Sequence, residues 1–134
     1  AHAVPLSKQV RGYLTDLAEM LGREGYVFPS ARSSKRPMSE NTLNAAFRRM
    51  GYSKEEVTAH GLRATASTFL NESGLWNPDA IERALAHGDS NVVRGIYHRG
   101  KHWDERVRMA QWWSDYLDEL RTGGKVIMGK FAKG

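Results

Sequence analysis

Two groups of residues in this 134-residue sequence have the types and spacing for chemistry on a phosphate ester. The first is His60-Gly61-Leu62-Arg63. An imidazole and a guanidinium three residues apart at the start of a helix share one face, so both point at a single anion, the outline of a phosphate clamp. The second runs from His87 to Tyr97, with Arg94 and Arg99 on either side of the tyrosine. His87 falls at the end of a short helical pattern stopped by Gly88. Tyr97 follows ten residues later, beyond the polar turn Asp89-Ser90-Asn91, a spacing that delivers a phenol to the same pocket. Each residue also has a plainer reading: His60 and Arg63 as solvent-facing residues at a helix start, Tyr97 as a half-buried core aromatic. His98 and His102 stand four apart on one helical face, but no carboxylate or third histidine completes a ligand set, so they read as surface residues and no metal is expected. Arg32, Lys35, Arg36, Arg48 and Arg49 form either a strip that grips nucleic-acid phosphates or an ordinary solvated face. A loop followed by an arginine pair concentrates charge locally, which favours the strip.

A series of short helices must position these groups. His2-Ala3-Val4-Pro5-Leu6 alternates weakly and predicts a short strand, which runs into Ser7 as an N-cap. Val10, Tyr13, Leu14, Leu17 and Leu21 then fall at helical spacing, and Gly22 and Gly25 close that helix. Tyr26-Val27-Phe28-Pro29 leads into Ser30 to Pro37, read as a polar loop. Ser39 reads as the next N-cap, with Leu43, Ala46, Phe47 and Met50 as an apolar face that ends at Gly51. Ser53-Lys54-Glu55-Glu56 has the spacing of a capping box and predicts a single turn. From Thr58, the positions Leu62, Ala66, Phe69 and Leu70 predict the helix that carries His60 and Arg63, ending at Gly74. Asn77-Pro78-Asp79 supplies a cap, a first-turn proline and an acid at the positive end of the dipole, predicting a helix from Pro78 to about Ala86. Met109, Trp112, Trp113, Tyr116, Leu117 and Leu120 mark a last helix with a broad apolar stripe.

Composition narrows the class. Twenty Lys and Arg against fifteen Asp and Glu leave a formal charge of +5, which suits a polyanionic partner. The absence of cysteine excludes disulfides, thiolate nucleophiles and cysteine zinc sites. No apolar run approaches the roughly 20 residues that span a bilayer, and the first residues lack the layout of a signal peptide. A cytoplasmic protein with no membrane partner is expected. The tail after Leu120 holds four glycines and four basic residues without an acid, and 121–134 is expected to be a flexible basic tail.

Four stretches taken together carry a resemblance: His60-Gly61-Leu62-Arg63-Ala64-Thr65-Ala66-Ser67-Thr68; Ile81-Glu82-Arg83-Ala84-Leu85-Ala86-His87; Val93-Arg94-Gly95-Ile96-Tyr97-His98-Arg99; and Met109-Ala110-Gln111-Trp112-Trp113-Ser114-Asp115-Tyr116-Leu117. In this order and spacing they resemble the C-terminal catalytic region of phage-type integrases, the tyrosine site-specific recombinases, and within them the subfamily of satellite phages and genomic islands. The resemblance covers residues 1–120. It implies a mainly α fold, the helical DNA breaking-rejoining domain, with a small residual β element at the N-terminus.

It also implies roles. Tyr97 matches the nucleophile that forms a 3′-phosphotyrosine, Arg63 the second of two arginines on the scissile phosphate, His60 the histidine that assists deprotonation of the tyrosine, and His87 a later histidine that hydrogen-bonds the phosphate. The reaction exchanges one phosphodiester for another, so no cofactor is expected. The implied partners are double-stranded DNA attachment sites, further copies of the chain in a tetramer assembled on DNA, and accessory DNA-bending and excisionase proteins, in the bacterial cytoplasm at the nucleoid. The family's first arginine and its hairpin lysine have no counterpart in this chain, and His2 to Ser7 resembles the end of that hairpin. The expectation is therefore a partial catalytic domain that alone is inactive or nearly so. The alternative is a non-catalytic helical DNA-binding module in which His60, Arg63 and Tyr97 merely pack. A histidine-dependent phosphodiesterase is a third reading.

Overall fold

The computed structural model describes residues 2–86 and 102–124. Its elements are α1 (Lys8–Leu21), β1 (Pro29–Ser30), β2 (Ser33–Pro37), α2 (Thr42–Arg49), α3 (Ala59–Glu72), α4 (Pro78–Ala84) and α5 (Trp103–Arg121). The fold is mainly α with one small antiparallel sheet, as the resemblance implies. The chain divides into two units, one made of Ala1–Val10 with Ala66–Gly134, the other of Arg11–Thr65.

In the first unit the core gathers on Leu70 of α3, Ile81 of α4 and Met109 of α5, with Trp76, Ala84, Leu85, Trp112 and Trp113 packed against it. The expected stripe on α5 is therefore core at Met109, Trp112 and Trp113, whereas Leu117 and Leu120 keep 45% and 44% of their surface exposed. Phe69 and Tyr116 extend the aromatic layer: Tyr116 stacks on Trp112 with centroids 5.5 Å apart and lies 5.8 Å from Phe69. Helix α4 begins as its sequence dictates. Asn77 is extended, its side chain accepts from the Asp79 N–H at 2.9 Å, and Pro78 fills the first turn, where a missing N–H costs nothing.

The strand expected over His2 to Leu6 is irregular backbone. With no strand beside it among the described residues, the segment gives its polar groups to α5. Arg106 Nη2 donates to the Ala3 carbonyl at 2.6 Å, Ser114 Oγ meets Ser7 Oγ at 2.7 Å, and the Lys8 N–H donates to Gln111 Oε1 at 2.9 Å. Gln9 Nε2 donates to the carboxylates of Asp115 and Asp118 at 2.8 and 2.9 Å, and this donor, followed by Gln111, holds the Asp115 carboxyl below the usual range. Arg106 is buried and its Cζ stands 5.5 Å from the Trp103 ring centroid. Burial lowers its pKa because the charged form loses water. Ser7 is the N-cap of α1, its Oγ accepting from the Val10 N–H at 3.2 Å.

In the second unit the sheet lies at 29–37, in the segment read as a loop. Ser30 pairs with Ser33 and Pro29 with Pro37, and the Met38 N–H donates to the Phe28 carbonyl at 2.9 Å. Helix α2 starts at Thr42, with Asn41 and not Ser39 at its N-cap. Ser39 lies three residues ahead of the helix and its hydroxyl meets that of Thr42 at 2.9 Å, so the serine supports the first turn from outside it.

Candidate active site

His60 and Arg63 lie in the first turns of α3, both exposed and one helical turn apart, as their spacing requires. The start of α3 is fixed by three neighbours within the second unit. Thr58 Oγ1 accepts from the Gly61 N–H at 2.8 Å, capping the helix. Asn44 Oδ1 on α2 accepts from the Ala59 N–H at 2.9 Å, so a second orphan donor of the helix terminus is satisfied by the preceding helix. A Cβ on Gly61 would stand 3.0 Å from Thr58 Oγ1, and the glycine between His60 and Leu62 therefore keeps the cap intact.

The third neighbour is Arg48. Its guanidinium donates through Nη1 to the Tyr52 carbonyl at 2.6 Å and through Nη2 to the Val57 carbonyl. Arg48 thus braces the connection between α2 and α3, the one member of the basic set among the described residues with side-chain donors committed to the backbone. Within that connection the expected capping box forms half of its pair of bonds: the Ser53 N–H donates to Glu56 Oε2 at 2.7 Å, and this bond holds the Glu56 carboxyl below its ordinary value. Asn44 and the bracing role of Arg48 are not legible from composition or spacing. The nearest signal for Asn44 is an Asn inside a helix, a type whose side chain competes for backbone groups.

The other basic residues are distributed by the hairpin. Arg32 sits in the two-residue turn between β1 and β2, and Lys35 and Arg36 follow each other on β2, all exposed. Neighbouring residues on a strand face opposite sides, so Lys35 and Arg36 serve different faces of the ribbon. Arg49 is exposed at the end of α2. His87, Arg94, Tyr97, His98 and Arg99 lie outside the described residues. His102 is described, and its Nδ1 meets Glu105 Oε2 at 3.1 Å. Among the described residues no helix is long and apolar enough to cross a membrane.

An exposed His and Arg one turn apart on one capped helix start, within a mainly helical chain, agree with the class that the motif order suggests. The chain belongs to the phage integrase family, which matches residues 1–102. Among its relatives, the integrase of Enterobacteria phage P4 is 50% identical over 123 residues, covering 90% of this chain and 28% of the relative. The putative protein IntB of Escherichia coli K12 is 46% identical over 122 residues, and the prophage integrase IntA of the same strain 41% identical over 126, covering 31% and 30% of those relatives. The chain thus spans about three-tenths of the length of the curated relatives it matches. No solved structure matches it.

Proposed function

We propose that the protein is a site-specific DNA recombinase, an integrase that inserts and excises a phage or genomic island by transesterification at Tyr97. The observation that carries this reading is the exposed His60 and Arg63 pair on the capped start of α3, in a chain of the phage integrase family. The phenolic oxygen of Tyr97 attacks a DNA phosphodiester. The new bond joins the tyrosine to the 3′ phosphate, the bond to the 5′ oxygen breaks, and that oxygen leaves as a hydroxyl once protonated. Reversal with a different 5′-hydroxyl rejoins the strand. Arg63 offers two parallel donors to the phosphate oxygens, whose charge grows in the pentacoordinate transition state. His60 assists removal of the phenolic proton, and His87 hydrogen-bonds the same phosphate. One phosphodiester replaces another, so no nucleotide is consumed.

Arg32, Lys35, Arg36, Arg49, Arg94 and Arg99 contact the DNA backbone, and Arg48 acts beside them by holding the α2–α3 connection. The reaction belongs to the full-length protein, working as a tetramer assembled on its attachment sites, with DNA-bending and excisionase proteins as further partners, at the nucleoid of a bacterial cell. The test is incubation of full-length protein with a nicked duplex carrying the element's attachment site. A denaturant-resistant protein–DNA adduct with a free 5′-hydroxyl, absent in Tyr97→Phe, is the expected result. Binding without an adduct makes the protein a non-catalytic DNA-binding module, and free phosphate ends make it a hydrolase.

A further inference from the structure

At the junction of α4 and α5, one carboxylate serves two helix starts. Glu105 Oε1 accepts from the backbone N–H of Asn77 at 2.7 Å, and Oε2 from Nδ1 of His102 at 3.1 Å. Asn77 is the N-cap of α4 and its own side chain is spent on Asp79. His102 is the N-cap of α5 and makes no side-chain cap of its own. Both partners of the pair are largely covered, the His102 and Glu105 side chains keeping 17% and 22% of their surface. The Asn77 N–H, and then His102, hold the Glu105 carboxyl below its ordinary value.

The arrangement carries costs that an ordinary helix start avoids. His102 has φ 60° and ψ 21°, the left-handed region, in which a Cβ crowds the backbone. A carboxylate only accepts, so Nδ1 donates to Glu105, and Nε2 has no share in that bond. That nitrogen is buried and has no hydrogen-bond partner among the described residues, where most buried polar atoms have one. A strained backbone and an unmatched buried nitrogen persist together only where the surroundings hold them, and such strain gathers where geometry serves function.

We infer that Glu105 is a positioning residue, which pins the start of α5 to the start of α4 through His102 and Asn77 and so sets the spacing of the two helices between which His87 and Tyr97 lie in the sequence. The inference rests on the recombinase reading for what that spacing serves. Tyr97 is five residues ahead of His102 in the chain, and a displacement of about 1 Å at a reacting group is enough to lower a rate about 100-fold.

The test uses full-length protein and nicked attachment-site DNA, with adduct formation rate and DNA affinity measured separately, well below each variant's melting temperature. Glu105→Ala removes both contacts. His102→Asn removes only the ring, and asparagine tolerates the left-handed backbone, so this variant folds even where the alanine does not. Glu105→Gln keeps an acceptor for the Asn77 N–H and offers a donor to Nδ1 in the other imidazole tautomer. The expected result is a fall of about 10- to 100-fold in adduct rate for Glu105→Ala and His102→Asn, DNA affinity within about two-fold of wild type, and rescue to within about three-fold in Glu105→Gln. Wild-type rates in Glu105→Ala and His102→Asn overturn the inference, as do losses that merely follow DNA affinity. A wild-type protein that makes no Tyr97-dependent adduct overturns the recombinase reading itself, and the inference with it.

Discussion

Replacing Ile81 tests whether α4 and α5 are held by the core described above. Ile81 is fully buried in one cluster with Leu70 and Met109, against which Trp76, Trp112 and Trp113 pack. Ile81→Ala removes three carbons, about 2.4 kcal/mol at roughly 0.8 kcal/mol per buried methylene. Surroundings that relax only in part add a cavity term, which raises the cost to about 4 kcal/mol, inside the range of about 2–5 kcal/mol for such truncations. Ile81→Val removes one carbon and costs about 1 kcal/mol. Leu117→Ala, at a side chain with 45% of its surface exposed, costs less than Ile81→Ala although the same number of carbons is removed. Urea unfolding followed by tryptophan fluorescence reads these directly. With a slope of about 2 kcal/mol per molar, Ile81→Ala lowers the midpoint by about 2 M and Ile81→Val by about 0.5 M. A loss below about 1 kcal/mol for the alanine, or equal losses for alanine and valine, refutes the placement of Ile81 at the centre of this core.

Further outcomes follow from single contacts. Arg48→Ala lowers stability by about 1–3 kcal/mol, because the Tyr52 and Val57 carbonyls lose their donor. Arg49→Ala, at an exposed side chain, leaves the melting temperature in place, weakens DNA binding and reduces the salt slope of log K by about one. Asn77→Ala removes the cap of α4 and costs about 1 kcal/mol in thermal or urea unfolding. The carboxyls of Asp115 and Glu105 are both lowered by hydrogen bonds of the folded state, Gln9 first for the one and the Asn77 N–H first for the other. Their stabilisation is therefore present above the unfolded carboxylate range of about pH 4 and is lost as pH falls through the lower folded values. Melting temperature measured from about pH 6 downward stays level and then drops in that window, and Gln9→Ala makes the drop shallower.

Much of the fold was legible because its signals are local. Ser7, Asn77 and Pro78 act where their chemistry acts best, and the glycines end helices at φ values of +86° for Gly22, +96° for Gly51 and +65° for Gly74. In sequence the hairpin at 29–37 reads as a loop, because Ser33-Ser34-Lys35-Arg36-Pro37 has neither β-branched residues nor apolar alternation. Its pairing comes from backbone bonds across a two-residue turn, which composition does not announce. His2 to Leu6 show the converse: a weakly alternating pattern with no strand beside it among the described residues, whose Ala3 carbonyl finds Arg106 on α5. Partners about a hundred residues apart leave no mark in a local window. The same limit applies at the site. The spacing of His60 and Arg63 gives their common face, but Asn44, Arg48 and Glu105 act through tertiary contacts with backbone groups, and nothing in the residues' order signals that.

The proposed recombinase reaction requires that Tyr97 become covalently linked to DNA. Its most direct measurement is mass spectrometry of the protease-digested, nuclease-trimmed adduct formed by full-length protein on nicked attachment-site DNA. The expected result is a single nucleotide-bearing peptide with the phosphate on Tyr97, joined to the DNA 3′ end. A linkage on any other residue, or DNA cleaved without a linked peptide, contradicts it.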